Sequence, residues 1–309
     1  MSNAIEGVAS TWKEIKDILD GHVPTGYKRL YGLVSKYQEL LEDSNLMDIL
    51  TCKDVRDLYD KTMYKDIEKE NARNLPDGEI LRKEAVNVLS SGQVIHNGLN
   101  SESNIINTME KVLQILNDKD ISLLVRVAVF HYLFGYIHPF YDGNGRMSRL
   151  ISTAYLKKEL DTLSALQLSI SCKSERKKYY EIFKVTNDIR NKGDLTYFVI
   201  SFLEIIKNGL LHLLESTEEK INQYIYYEKH IQELNELDKN ANIILMVLLQ
   251  ASLFIAESLS VSDIMKFCDL SSSTVRNKLA TLESKGLVKY ITEEHKRKYL
   301  LDLNALSQQ

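Results

Sequence analysis

Three prolines in 309 residues, beside 13 glycines, constrain the fold more than any other feature of this sequence. Proline interrupts helices and punctuates the short strands of β-rich folds, so its scarcity predicts a mainly α protein with long helices. The length suits one large domain, with or without a small one. A net charge of −4 and a pI near 6.0 exclude a chain-wide basic surface, though not a local basic patch. Cys52, Cys172 and Cys268 lie far apart and form no C-x-x-C pair, which offers neither a zinc ribbon nor a disulfide framework. Three reduced thiols in a cytoplasmic protein is the expectation. The first residues lack the basic and apolar regions of a signal peptide. The apolar runs Ile121 to Ile137 and Ile243 to Ala256 are short for a bilayer span, and Arg126 and His131 interrupt the first. Both read as buried helices, and no membrane partner is expected.

Helical periodicity runs from Thr11 to Arg73, with a turn at Gly21, Pro24 and Gly26, and resumes at Tyr27 to Glu42. Between Val86 and His96, β-branched residues flank Ser90-Ser91-Gly92, the strongest hairpin signal in the chain. Helices follow at Asn104 to Leu116, Leu123 to Ile137, Ser174 to Arg190 and Leu195 to Leu214. Residues 215–238 are charged, without glycine or proline, and predict a connecting helix. From 239 to 309 the order is helix (Asn242 to Glu257), Val261 to Phe267, a break, Ser273 to Ser284, then two strands between Leu287 and Leu303. That is the plan of a winged helix-turn-helix. The expected domains are therefore 1–214, a connecting helix 215–238, and 239–309.

One segment concentrates chemistry: His138-Pro139-Phe140-Tyr141-Asp142-Gly143-Asn144-Gly145-Arg146-Met147-Ser148-Arg149. It follows an almost wholly apolar helix and opens another near Asn144. Gly143 and Gly145 let a ligand approach backbone N–H groups at a helix start, which is an anion site. Arg146 and Arg149 are three apart, share a helix face and can grip phosphate oxygens. Asp142 is a hard oxygen donor suited to the Mg²⁺ that accompanies polyphosphates. His138 titrates where it can take a proton from a hydroxyl near neutral pH. Alone, each would be an ordinary turn, surface or packing residue; the chemistry lies in the combination.

The segment matches H-P-F-x-D-G-N-G-R-x-x-R, and the chain resembles the Fic family on it. The resemblance implies a helical Fic-type domain that binds ATP with Mg²⁺ and transfers AMP to the Tyr, Ser or Thr hydroxyl of a target protein, the chain itself among the candidates. It makes His138 the general base and Asp142 the metal ligand. Gly143, Asn144 and Gly145 would form the phosphate-binding helix start, Arg146 and Arg149 would hold the β- and γ-phosphates, and Phe140 would anchor the turn. Doc-type relatives that transfer phosphate carry lysine where this chain has Gly145, so the glycine favours nucleotidyl transfer. Tyr141 occupies the variable slot and receives no role. The resemblance also brings Lys177, Tyr179 and Tyr180 towards an adenine pocket, with an ordinary helix face as the alternative.

At the start of the chain, Ser2-Asn3-Ala4-Ile5-Glu6-Gly7 fits the family's inhibitory pattern [S/T]-x-x-x-E-[G/N]. By resemblance Ser2 and Glu6 belong to an inhibitory segment, with Glu6 pairing with Arg149 in place of the γ-phosphate. The same glutamate assists removal of AMP in some relatives, and that role stays open. The hairpin corresponds to the family's flap, with Val94, Ile95 and His96 on its second strand, where an added target strand would register. Arg82, Lys83 and His96 lie near it without an assigned role. Fic proteins often pair, so a homodimer is expected by analogy.

In the C-terminal segment, residues 271–299 hold seven Lys or Arg against three Glu, a local excess of +4, which falls to +2 over 260–309. DNA and protein both remain open as partners of this domain. Three functions follow: protein adenylyltransferase; another nucleotide transfer or AMP removal at the same site; or a DNA-binding regulator whose Fic domain senses nucleotide. The complete motif favours the first, because a sensor has no need of His138.

Overall fold

The computed structural model describes residues 2–6, 11–20, 27–42, 48–90, 93–234, 237–255, 257–293 and 296–307. The turn expected at Gly21, Pro24 and Gly26, the hairpin tip at Ser91-Gly92, Gly7 of the inhibitory pattern and Glu294 lie outside these residues. The chain forms two compact units, Met1–Leu213 and Leu214–Gln309.

The first unit opens with α1 (Ser2–Ile5), α2 (Trp12–Leu19), α3 (Tyr31–Glu42), α4 (Cys52–Thr62) and α5 (Tyr64–Asn71). The strands β1 (Asn87–Ser90) and β2 (Gln93–Asn97) form an antiparallel hairpin with Asn87 opposite Asn97, and an irregular register between Val88 and Leu89. Then come α6 (Glu102–Asn117), α7 (Leu123–Ile137), α8 (Asn144–Leu156), α9 (Thr162–Ser174), α10 (Arg176–Thr186) and α11 (Thr196–Glu233). Reciprocal capping boxes, Thr11 with Glu14 and Thr51 with Asp54, start α2 and α4.

The α7–α8 pair forms the centre. Val127, Phe130, Phe134 and Ile137 of α7 are buried against neighbours that include Met147, Leu150 and Ile151 of α8. Each such side chain contributes about 1.5–3 kcal/mol relative to an exposed one. The turn between these helices carries the motif, so the best-packed part of the unit holds it in place. Helix α9 falls where no separate helix is expected. Helix α11 runs unbroken from Thr196 to Glu233, through position 214 and into the segment expected as a connecting helix. Gly209 lies inside it because a Cβ there would stand 1.7 Å from Ser171 Oγ of α9, a distance only glycine avoids. Among the described residues α11 is also the one helix long and apolar enough to cross a membrane, by length and composition alone. Its Phe198, Phe202, Ile205 and Ile206 are buried in the core of the first unit.

The second unit contains the C-terminal part of α11, then α12 (Lys239–Gln250), β3 (Leu259–Ser260), α13 (Val261–Phe267), α14 (Ser272–Ser284), β4 (Val288–Glu293), β5 (Lys296–Leu301) and α15 (Leu303–Leu306). Its sheet is antiparallel in the order β3-β5-β4, with Leu259 and Tyr290 both opposite Tyr299. The core is formed by Ile244, Leu248, Ile264, Val275, Leu279, Leu282, Leu287 and Leu301. Several of its cations have carboxylate partners: Lys278 with Asp238, Lys289 with Asp302 at 2.5 Å and Lys298 with Glu293 at 2.7 Å. Arg297 lies over the Tyr290 ring at 4.2 Å. Asp238 and Asp302, which lie outside 271–299, thus answer two of the charges in the local excess of +4.

Candidate active site

Helix α7 ends at His138, whose backbone is left-handed at φ 55° and ψ 62° and whose N–H donates to Phe134 O. A non-glycine residue held there has to be fixed by its surroundings. The His138 ring places Nδ1 3.3 Å from Gly135 O. That bond favours Nδ1–H and leaves the basic lone pair on Nε2. Phe140 is fully buried and stacks on Tyr59 at 4.0 Å with 14° between the planes, anchoring the turn as expected. Asn144 bridges the turn from inside: its Nδ2 donates to Phe140 O at 2.8 Å and its Oδ1 accepts from Phe140 N–H at 3.0 Å.

Gly143, at φ 85°, occupies the N-cap of α8 and offers no side-chain acceptor to the helix. The first-turn N–H groups thus meet an arriving anion without a resident cap, with the positive end of the helix dipole behind them. Asp142 Oδ1 accepts from Gly143 N–H at 2.5 Å and from Arg146 Nη2 at 3.3 Å. Arg146 is 2% exposed, yet its Nε and Nη1 have no hydrogen-bond partner. Buried donors without partners cost about 1–3 kcal/mol each, so this guanidinium is prepared for an acceptor that the protein does not supply.

Arg149 is fully buried and lies among different partners. Its Nε donates to Ser2 Oγ at 2.9 Å, and its Nη2 to Ser2 O at 3.1 Å and to Glu6 Oε1 at 2.6 Å. Nη1 reaches Tyr179 OH at 3.5 Å. Burial opposes the guanidinium charge, and the Glu6 carboxylate reverses that effect and raises the pKa. Although Arg146 and Arg149 stand three residues apart, their guanidiniums are held by separate groups, Asp142 for one and the N-terminal segment for the other. Glu6 also explains Gly145: a Cβ there would lie 2.2 Å from Glu6 Oε1. The segment is secured further by Ile5, fully buried, and by Tyr180 OH donating to Ile5 O at 3.2 Å.

Behind Arg149 lies a buried polar chain with no expected role. Tyr179 OH is 2.9 Å from His131 Nε2, and His131 Nδ1 is 3.0 Å from Ser152 Oγ. Burial, aided by the nearby Arg149 charge, lowers the His131 pKa to about 3, so the ring is neutral. Cys172 lies in the same core, its thiol pushed up to about 12 by burial. Tyr179 therefore fits a supporting position within the helix packing better than an adenine pocket.

Tyr141 also acquires a role that its variable slot conceals. Its hydroxyl donates to Asp77 Oδ1 at 2.9 Å and accepts from Glu84 N–H at 2.9 Å, tying the turn to the irregular segment before the hairpin. Backbone N–H groups of Glu79, Ile80 and Leu81 in that segment donate to the Glu102 carboxylate. Val94, Ile95 and His96 lie on β2, beside β1 in a two-stranded sheet; their side chains lie outside the described set. Among the described residues no group of three or more His, Cys, Asp or Glu converges. Asp142, on the turn itself, fits a Mg²⁺ ion held by one carboxylate together with substrate phosphates.

Residues 49–156 match the Fic/DOC family and constitute a Fic/DOC domain. Protein adenylyltransferase Fic of Drosophila erecta is 37% identical over 94 residues, covering 29% of this chain and 17% of that protein. The Drosophila melanogaster protein of the same name is 36% identical over the same length. The chain spans less than a fifth of the length of these curated relatives. Among solved structures, a Fic family protein from Desulfovibrio desulfuricans G20 superposes with a TM-score of 0.56 at 21% identity, over 97% of this chain and 83% of that one. That likeness concerns the fold.

Proposed function

We propose that this chain is a protein adenylyltransferase restrained by its own N-terminal segment. The observation that carries the reading is the uncapped start of α8, flanked by His138 and by two buried arginines, one with unanswered donors and one held by Glu6. A triphosphate supplies what these groups lack: oxygens for the α8 amides and for Arg146, and a negative charge that can replace Glu6 on Arg149.

In the reaction, a target hydroxyl oxygen attacks the α-phosphorus of ATP. A new P–O bond forms as the bond to the β-phosphate oxygen breaks. His138 Nε2 takes the hydroxyl proton, and pyrophosphate leaves, so the target carries AMP as a phosphodiester. The α8 amides and Arg146 oppose the charge that gathers on the phosphates. Asp142 would hold Mg²⁺, which supplies further neutralisation of that charge when bound. The hairpin has one unpaired edge on each strand, and an extended target segment added there would be brought up to the turn. Glu6 and Ser2 keep Arg149 from the terminal phosphate until the segment is displaced.

Removal of AMP is a second reading, favoured by one contact: the Glu6 carboxylate lies against Gly145 at the start of α8, where it could orient a water. Intact-protein mass spectrometry after incubation with Mg²⁺ and each nucleoside triphosphate separates the readings. Transfer predicts the mass of an added AMP with ATP. A protein that adds nothing, but strips AMP from a modified sample, would support the second reading.

A further inference from the structure

Arg82 is a fully buried arginine, and the contacts of its guanidinium are to backbone carbonyls rather than to a carboxylate. Its Nε donates to His138 O at 2.7 Å, and its Nη2 to Ile137 O at 3.1 Å and Leu99 O at 2.9 Å. Nη1 donates to Glu84 O. Its backbone N–H donates to Pro139 O at 3.3 Å. Two of these acceptors, Ile137 and His138, are the last carbonyls of α7, where the helix dipole presents its negative end to a cation. The other two, Glu84 and Leu99, flank the stem of the hairpin. Burial lowers the guanidinium pKa, and charge-assisted bonds to four carbonyls offset that cost.

The surroundings are built for this contact. A Cβ on Gly98 would lie 2.6 Å from Arg82 Nη2 and 3.2 Å from His138 Cβ, so the absent side chain lets hairpin stem, guanidinium and histidine meet. Leu99 N–H donates to Ile137 O at 3.2 Å and Gly98 N–H to Val86 O at 3.0 Å, which closes the stem on the helix end. His138 keeps its left-handed backbone while its carbonyl is held by Arg82.

We propose that Arg82 is a positioning residue that fixes the backbone of His138 and couples it to the hairpin, so that the strand receiving a target and the base that deprotonates it move as one body. The catalytic half of this proposal rests on the transferase reading above. Lysine cannot replace the arginine, because one ammonium does not span four carbonyls in a planar fork.

The test uses the full chain carrying Glu6→Gly, with Arg82→Gln, Arg82→Lys and Gly98→Ala added singly. Displacing the base by about an ångström is expected to lower kcat roughly hundredfold while the KM for ATP stays within about twofold, because the phosphate contacts belong to α8. Hydrogen–deuterium exchange is expected to quicken together at the hairpin stem, residues 97–99, and at the turn, residues 137–141, with α8 unchanged. Gly98→Ala shifts the guanidinium without removing it, and should reproduce both effects if Arg82→Gln does not fold. An unchanged kcat, an apparent kcat that falls only in proportion to the folded fraction, or exchange that quickens in only one segment would overturn the proposal. If the Glu6→Gly parent transfers no AMP, the transferase reading fails, and the exchange experiment still decides whether Arg82 couples the two segments.

Discussion

Removal of the Glu6 carboxylate should make the protein less stable and more active. Glu6→Gly deletes one charge-assisted bond of 2.6 Å to a guanidinium with no solvent exposure. Such a bond contributes about 1.5–3 kcal/mol. Because the Glu6 side chain is 32% exposed, water screens part of it, and about 2 kcal/mol is the appropriate figure. Every 1.4 kcal/mol is tenfold, so the fraction of molecules with Arg149 available to a phosphate should rise roughly thirtyfold. Ser2 still offers its hydroxyl and carbonyl to Arg149, and Tyr180 still holds Ile5, so release by the single change is partial. Adding Ser2→Ala should raise activity again. The assay is the initial rate of self-modification with labelled ATP and Mg²⁺, beside a urea titration of the same samples. Lower stability with a rate within about twofold of the parent would refute the reasoning, because the contact would then be structural and not competitive with phosphate.

Asn144→Ala leaves the N–H and C=O of Phe140 buried without the partners they have now. The expected loss is about 3 kcal/mol in a denaturant titration, with activity falling as the turn loosens; a loss under about 1 kcal/mol would mean water replaces the amide. His131 gives an acid-sensitivity test. Its native pKa of about 3 lies below its ordinary value of 6.5, so the unfolded chain binds the proton first as pH falls. Stability is therefore complete above pH 6.5 and should decline by about 1.4 kcal/mol per pH unit below it, until the native ring titrates. Urea midpoints at pH 7, 6 and 5 should fall less steeply in His131→Gln, and parallel profiles would contradict the assignment.

The motif was legible in the sequence because its parts are local: one apolar helix, a glycine-bearing turn and a second helix contain His138, Asp142, Arg146 and Arg149. The hairpin was legible for the same reason. What the sequence did not disclose are contacts between distant positions. Arg82 meets His138 across 56 residues, and Ser2 meets Arg149 across 147. Arg82 reads in the sequence as an ordinary polar residue near the hairpin, and the inhibitory pattern that contains Ser2 does not say that its hydroxyl and carbonyl both meet Arg149. The variable slot of Tyr141 in the motif carries no signal for its hydroxyl, which holds Asp77 and Glu84. Spacing sets Arg146 and Arg149 within one turn of α8, but it does not say which partner each will find. The helices expected at Leu195 to Leu214 and at 215–238 are one continuous element, α11, because no glycine or proline between 215 and 233 interrupts it.

His138 is expected to deprotonate a hydroxyl for attack on the α-phosphorus of ATP. Incubation of the Glu6→Gly protein with Mg²⁺ and ATP labelled at the α-phosphate, beside the same protein carrying His138→Ala, tests it most directly. Label in protein from α-labelled but not γ-labelled ATP, reduced by at least about a hundredfold in the His138→Ala protein, is the predicted result. Equal labelling of the two proteins, or label arriving from the γ-phosphate, would contradict it.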